Sequence, residues 1–212
     1  MRASRSTPPR AGLRAAEDMT LAVRPLTPAR WDDLQTIFDA RGCSVARSCW
    51  CMYYRVSGKG AYTRPSDDQR SRSRAALKDL AARDPPPGLI GYRGRTPVGW
   101  ISLGPREDYA KLVRSPTMKP VDAQRVWSIV CFVVPSQYRG QGVARALLAG
   151  AVEYARARGV RLLEGYPVDK RAPGAPDAPW FGSKSMFDEA GFTEVARRKP
   201  ARPVVRLRLI RS

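Results

Sequence analysis

A short glycine-bearing turn, set between an apolar strand and an amphipathic helix, narrows the fold of this chain more than any other feature. Residues 126–134 are nearly uncharged and rich in β-branched and aromatic side chains, which predicts a buried strand. Residues 143–155 carry apolar side chains at helical spacing, which predicts a helix with one buried face. Between them, Gly140 and Gly142 allow the backbone to approach a ligand closely. Free N–H groups at the start of a helix favour an anion such as phosphate, and Arg139 adds a fixed positive charge.

The turn differs from the common nucleotide-binding loops. The chain has no G-x-x-x-x-G-K-[ST] motif, and the glycine spacing in this turn is not G-x-G-x-x-G. The turn reads Arg139-Gly140-Gln141-Gly142-Val143-Ala144 and matches the pattern R/Q-x-x-G-x-G/A. With its strand and helix, it resembles the pyrophosphate-binding signature of the GNAT superfamily of acyl-CoA-dependent N-acyltransferases. The alternative is a glycine-containing turn that binds no ligand.

The resemblance implies a donor site for acetyl-CoA or another acyl-CoA as co-substrate. It implies that the main chain of one strand segment bonds the pantetheine arm and the thioester carbonyl, and that the turn binds the pyrophosphate. The residues implied are Phe132, Val133 and Val134 on the strand, and Arg139, Gly140, Gln141, Gly142, Val143 and Ala144 in the turn. No metal is implied.

The predicted element order over residues 20–210 is β, α, α, β, β, β, α, β, α, β, β. That order resembles the GNAT fold, an α/β (α+β) class with a mixed central sheet of about six to seven strands flanked by about four helices. Strands 126–134 and 161–166 should be parallel neighbours that splay apart. Residues 41–65 and 104–125 are predicted to be irregular connections. Residues 1–18 are predicted to be a disordered basic tail, and 19–212 a single domain.

The chain contains no histidine, which excludes a histidine base and any histidine-containing metal site. Glu164 on the second central strand is the leading candidate for a general base, beside Glu107 and Asp108 in the long connection; each can also be explained as a solvated charge. In the superfamily a tyrosine usually protonates the departing thiolate, and Phe187 stands at its position here. Candidate substitutes are Ser185, Tyr166, Ser183 and water.

A concentration of aromatic residues is predicted to wall the acceptor pocket. These residues are Trp50, Tyr53, Tyr54, Trp100 and Tyr109. The competing explanation for each of them is packing in the core.

The four cysteines are Cys43, Cys49, Cys51 and Cys131. The first three cluster in the 41–65 connection, whereas Cys131 falls within a predicted central strand. We expect Cys131 to lie far from the other three, and all four to be ordinary reduced thiols without a metal.

The charge of the chain is strongly positive. The 212 residues include 38 Lys and Arg against 19 Asp and Glu, a net charge of +19. Such a surplus attracts anions, including CoA and nucleic acid. The leading hypothesis is an acetyl-CoA-dependent N-acetyltransferase that acts on a small-molecule or peptide amine. One alternative is a transferase that modifies or uses aminoacyl-tRNA, motivated by the net charge, by Phe187 at the tyrosine position, and by the basic stretches at 70–74 and 193–212. The other is a non-catalytic binding protein.

No apolar run is long enough to cross a bilayer, and no signal-peptide pattern follows the N-terminus, so we expect a cytoplasmic protein. Pairing of the last strand across subunits would form a homodimer.

Overall fold

Seven strands of the described residues form a single mixed sheet. The computed structural model describes residues 21–56 and 66–209, and the predicted tail at 1–18 lies outside them. The strands are β1 (Leu21–Pro25), β2 (Gly88–Arg93), β3 (Thr96–Pro105), β4 (Trp127–Val133), β5 (Leu162–Gly165), β6 (Thr193–Lys199) and β7 (Arg202–Arg208). Their order across the sheet is β1-β2-β3-β4-β5-β7-β6, and only β4 and β5 pair in parallel. The predicted fold class and the parallel central pair are confirmed.

Five α-helices accompany this sheet within the same residue ranges: α1 (Trp31–Asp39), α2 (Ser44–Cys49), α3 (Asp67–Leu80), α4 (Val143–Ala157) and α5 (Lys184–Glu189). Helix α2 lies in the 41–65 segment that was predicted to be irregular. It escaped prediction because its six residues are too few to display a helical period. Among these helices, none has both the length and the apolar character needed to traverse a bilayer.

The two faces of the sheet are covered by different helices. On one face, Leu147 of α4 packs in a cluster with Leu89 and Ile101. On the other face, Phe38 of α1 packs with Ile90 and Trp100, together with parts of α2 and α3. Neighbouring residues of β2 and β3 therefore point alternately into the two clusters, as strand geometry requires.

The parallel pairing of β4 and β5 stops early. It runs only from Trp127 opposite Leu163 to Ile129 opposite Gly165, although β4 continues to Val133. A bulge opposite Ser102 and Leu103 of β3 bends β4 at this point. Beyond Ile129, no strand of the described residues pairs with β4 on that side.

The chain leaving β5 is held away from β4 by the segment that leads into α5. The main-chain N–H of Val168 donates to the carbonyl oxygen of Gly182 at 2.9 Å, and the N–H of Lys184 donates to the oxygen of Val168 at 2.9 Å. Phe187 of α5 is fully buried and packs edge-on against Phe132 of β4, with ring centroids 6.1 Å apart. The predicted splay of the two central strands is thus held by backbone hydrogen bonds and an aromatic contact.

A buried ion pair joins β5 to β7. Glu164 and Arg206 are opposite each other in the register, and the Nε of Arg206 donates to Glu164 Oε2 at 2.7 Å. The hydroxyl of Tyr166 donates to Glu164 Oε1 at 2.7 Å. Arg206 also donates to both carboxylate oxygens of Asp122, at 2.7 and 3.0 Å, and so attaches the 104–125 connection to the sheet.

We expect Gly165→Ala to destabilise the fold, because a Cβ on Gly165 would overlap the ring of Phe187, with the ring Cζ at 2.9 Å. The expected loss is about 1–3 kcal/mol in the free energy of unfolding, measured by urea denaturation. Gly104→Ala is the matched control, since its Cβ would find no atom nearer than 3.6 Å. The double variant Gly165→Ala/Phe187→Leu should recover part of the loss. Wild-type stability in the single variant would contradict this packing.

We expect Glu164→Gln to lower the free energy of unfolding by about 3 kcal/mol, because it removes the fully buried one of the two carboxylates that compensate the Arg206 guanidinium. Glu107→Gln is the control. Because Glu107 is exposed, this substitution should change the free energy of unfolding by less than about 0.5 kcal/mol. Equal stability of the two variants in urea denaturation would show that the ion pair does not hold β5 to β7.

Candidate active site

A large cavity opens where β4 and β5 separate. Its volume is about 2010 Å³, whereas pockets for one small ligand are typically about 300–1,000 Å³. One wall is the free edge of β4 with the turn that leads into α4; the opposite walls come from α2, parts of residues 110–118 and residues 177–183. The cavity is large enough to hold two substrates next to each other.

The glycine-bearing turn presents unpaired main-chain donors to this cavity. Gly140 and Gly142 have φ values of +73° and +77°, in the left-handed region that favours glycine. The first helical hydrogen bond here is donated by the N–H of Ala146 to the oxygen of Gly142 at 3.0 Å. Within residues 21–56 and 66–209, the N–H groups of residues 140–145 have no acceptor. Consecutive free N–H groups at the positive end of a helix form an anion-binding site.

The side chain of Arg139 connects the turn to the end of β4 and to the segment before α2. Its Nε donates to the carbonyl oxygen of Val134 at 3.0 Å, and its Nη2 donates to that of Gly42 at 2.7 Å. Two of its donors are therefore committed to backbone oxygens. The sequence analysis predicted that this side chain binds the anion. Arg139 does border the cavity, and the main-chain N–H groups of the turn offer further donors beside it.

The residues predicted for the donor site come together along one wall. Those that border the cavity are Phe132, Val133, Val134, Arg139, Gly140, Gly142, Val143 and Ala144. Gln141 does not border it, because its side chain bonds Gln137 and Arg93 outside the cavity. Only the main chain of Gln141 contributes to the turn.

Only Tyr53 and Tyr54 of the predicted acceptor-site aromatics border the cavity. Trp50 is buried against Trp31, with ring centroids 5.7 Å apart. Trp100 is fully buried against Phe38. The prediction was therefore wrong for these two tryptophans, which are large apolar side chains covered by α1.

The prediction was also wrong for Tyr109, which does not border the cavity. It is fully buried, and its hydroxyl accepts a hydrogen bond from Arg55 at 2.9 Å and lies 3.3 Å from the hydroxyl of Ser102. It packs the 104–125 connection onto β3 and does not reach the cavity.

The three predicted catalytic residues do not border the cavity. Glu164 is fully buried in its ion pair with Arg206 and cannot reach an acceptor amine. Tyr166 is buried, with its hydroxyl bonded to Ser128 and Glu164; burial and the Glu164 charge raise its pKa. Ser185 is exposed on α5, where its hydroxyl lies 3.1 Å from that of Ser183. Ser183, the further candidate for the proton donor, does border the cavity.

We expected Cys131 to lie far from the other cysteines, but it packs in the same cluster as Cys43, just before α2, and Cys51, just after it. The thiols of Cys51 and Cys131 share a hydrogen bond, which lowers the pKa of Cys51 and raises that of Cys131. Burial raises the pKa of Cys49 to about 12. All four cysteines are free thiols. No group of His, Cys, Asp and Glu side chains in the described ranges is placed to hold a metal ion.

Arg202, which the sequence analysis did not single out, borders the cavity beside Tyr54 and Phe181. Its guanidinium carbon lies 3.7 Å from the centroid of the Phe181 ring. Its position in the strand could have indicated this, because Arg202 lies on β7 two residues before the fully buried Val204. Alternation along a strand puts such an arginine on a buried face.

Comparison with known proteins identifies the family and the fold. Residues 48–172 match the acetyltransferase (GNAT) family. A ribosomal-protein-alanine N-acetyltransferase from Brucella melitensis is 20% identical, with a TM-score of 0.52 over 89% of this chain and 99% of that chain. The yncA protein of Salmonella typhimurium, solved with acetyl-CoA, is 15% identical, with a TM-score of 0.51 over 91% and 96%. An N-acetyltransferase from Staphylococcus aureus Mu50 is 15% identical, with a TM-score of 0.51 over 90% and 99%.

At these identities the solved structures establish the fold alone. No protein of curated function matches the sequence. The family match covers more than half of the chain and includes the turn and both central strands. The chain belongs to the GNAT family of acetyltransferases.

Proposed function

We propose that this protein transfers an acetyl or other acyl group from CoA to a primary amine of a small molecule or peptide, by direct attack within a ternary complex. The observation that carries the proposal is the run of unpaired N–H groups at residues 140–145, at the edge of a cavity large enough for donor and acceptor. These groups would bind the pyrophosphate of CoA. The pantetheine arm would form hydrogen bonds with the free edge of β4, in the way that an added strand does.

The chemistry requires two proton movements. The amine nitrogen attacks the thioester carbonyl carbon, a C–N bond forms and the C–S bond breaks; the amine loses a proton, and the departing thiolate gains one. The chain has no histidine, and the one carboxylate among the described lining residues, Asp177, is exposed and pairs with Lys170 at 3.6 Å. We therefore assign the removal of the amine proton to water.

Tyr54 is our candidate for protonating the thiolate. It borders the cavity and packs in the same cluster as Cys131 of β4, with its ring centroid 6.3 Å from that of Phe181. Burial raises its pKa, so the phenol stays protonated at neutral pH and can donate. Phe187 cannot take this role, since it has no ionisable group and is fully buried under β5.

The aminoacyl-tRNA alternative depended in part on the basic residues 193–212, and several of them are engaged inside the molecule. Arg197 pairs with Glu194 and Asp169. Arg198 donates to the main-chain oxygens of Thr117, Lys119 and Pro120. Arg206 is buried in its ion pair. Because these donors are already used, they are poorly placed to hold a phosphate backbone, and we favour the amine acceptor.

Calorimetric titration of acetyl-CoA into nuclease-treated protein should give saturable micromolar binding. Gly142→Asp should weaken it about 100-fold, because the new charge and the strained φ of +77° oppose pyrophosphate binding. Gly159→Asp is the matched control: Gly159 has a φ of +70° and open space around it, but lies beyond the far end of α4. Equal acetyl-CoA affinity of the two folded variants would contradict the proposal.

Tyr54→Phe should lower kcat about 10- to 100-fold in an assay of CoA release, with acetyl-CoA affinity unchanged, because it removes the proposed proton donor. Tyr53→Phe removes the neighbouring hydroxyl and serves as the control, with kcat expected within about twofold of wild type. If Tyr54→Phe retains full kcat, the thiolate is protonated by water.

A further inference from the structure

Arg202 is a partly buried cation without a carboxylate partner. Its Nη2 donates to the main-chain oxygen of Tyr166 at 3.2 Å and lies 3.5 Å from the sulfur of Met118. Its Nε is buried and has no hydrogen-bond partner among the residues that the structure describes. No carboxylate of residues 21–56 and 66–209 lies within 4.0 Å of its guanidinium nitrogens. The guanidinium is thus held in place, yet its charge is uncompensated.

Two more deeply buried arginines, Arg206 and Arg55, each have a carboxylate partner. Arg206 meets Glu164 at 2.7 Å, and Arg55 meets Asp108 at 3.1 Å. Burying a cation without a counter-charge is unfavourable, and burial lowers the pKa of Arg202. An arginine that borders a cavity and has no carboxylate partner is suited to bind an anion that enters the cavity.

The position of Arg202 relates that anion to the reaction. Arg202 and Tyr54 lie against the same ring: the centroid of Phe181 is 3.7 Å from the guanidinium carbon and 6.3 Å from the centroid of Tyr54. Tyr54 also packs in the same cluster as Cys131 of β4. All three border one cavity with Phe132 and Val133. In the proposed ternary complex the thioester lies along this part of β4. An anion on Arg202 would therefore occupy the same cavity as the thioester.

We propose that Arg202 binds a carboxylate of the acceptor, and that the acceptor is a small amine carrying a carboxylate, as an amino acid does. The inference rests on the proposed function, because it assumes that the amine reaches a thioester held at β4. A planar guanidinium matches a carboxylate in a bidentate pair. The Phe181 ring and Met118 exclude water from one side and so strengthen the attraction.

The surroundings favour a single negative charge over a phosphate dianion. The other described cations that border the cavity are engaged or exposed. Lys170 pairs with Asp177, and Arg145 pairs with Glu189. Arg139 donates to main-chain oxygens, Arg114 is exposed, and Lys111 lies 4.1 Å from the centroid of the Tyr53 ring. Next to Arg202 the lining consists of aromatic and thioether side chains. One arginine in such a setting balances one carboxylate.

The test compares the full chain with Arg202→Gln, Arg202→Lys and the control Arg208→Gln, an exposed arginine on the same strand. Saturation-transfer NMR would follow binding of the common L-amino acids, each beside its primary amide, to protein with and without CoA. Wild type and Arg208→Gln should bind one or more amino acids at least about tenfold more tightly than the matching amides. Arg202→Gln should lose this preference, and Arg202→Lys should keep part of it.

Kinetics supply the second readout. For the preferred amino acid, Arg202→Gln should lower kcat/KM about 10- to 100-fold, while acetyl-CoA affinity measured by calorimetry stays unchanged. The inference is overturned if no amino acid binds, if amides bind as well as acids, if Arg202→Gln keeps the preference, or if a phosphorylated amine such as phosphoethanolamine binds better through Arg202. Failure of wild type to bind acetyl-CoA would instead refute the proposed function, and the NMR comparison without CoA separates the two outcomes.

Discussion

The site depends on one constraint, the early end of pairing between β4 and β5. Three residue pairs join the strands, the last being Ile129 with Gly165, and beyond them β4 has a free edge. Main-chain groups on a free edge need hydrogen-bond partners, which an extended ligand can supply. The same divergence opens the cavity and places the start of α4 at its rim. Phe187 and the bonds of Val168 to the segment before α5 keep the divergence open.

The placement of the positive charge follows a second constraint. Arginines that support the sheet from inside are matched by acidic partners, as Arg206 is by Glu164 and Asp122. Others, such as Arg47 and Arg198, satisfy main-chain oxygens at the ends of helices and in connections. Much of the excess charge is therefore structural. The net charge of +19 is accordingly weak evidence for nucleic-acid binding, although it still favours an anionic donor such as CoA.

Local patterns predicted most of the fold. The apolar run of β4 and the period of α4 are visible in short stretches of sequence. Helix α2 was missed because its turns are few and polar. The turn at residues 140–145 was predicted because its glycines and its neighbours are contiguous in the chain.

The acceptor side of the site could not be predicted in the same way. Trp50, Tyr54 and Tyr109 are all aromatic residues in connections, and nothing local distinguishes the one that borders the cavity from the two that fill the core. Glu164 and Arg202 both lie on strands, yet Glu164 is neutralised across the sheet whereas Arg202 is not. These outcomes depend on residues far away in sequence.

The sequence by itself determined the family, the strand–turn–helix that presents main-chain donors, and the absence of histidine chemistry, because each follows from contiguous residues or from composition. The tertiary structure alone decided which side chains face the cavity, which charges are compensated, and that Cys131 meets Cys51. The physical reason is that burial and ion pairing are set by partners brought together only when the sheet is assembled, whereas backbone turns and helical periods are set within a few residues.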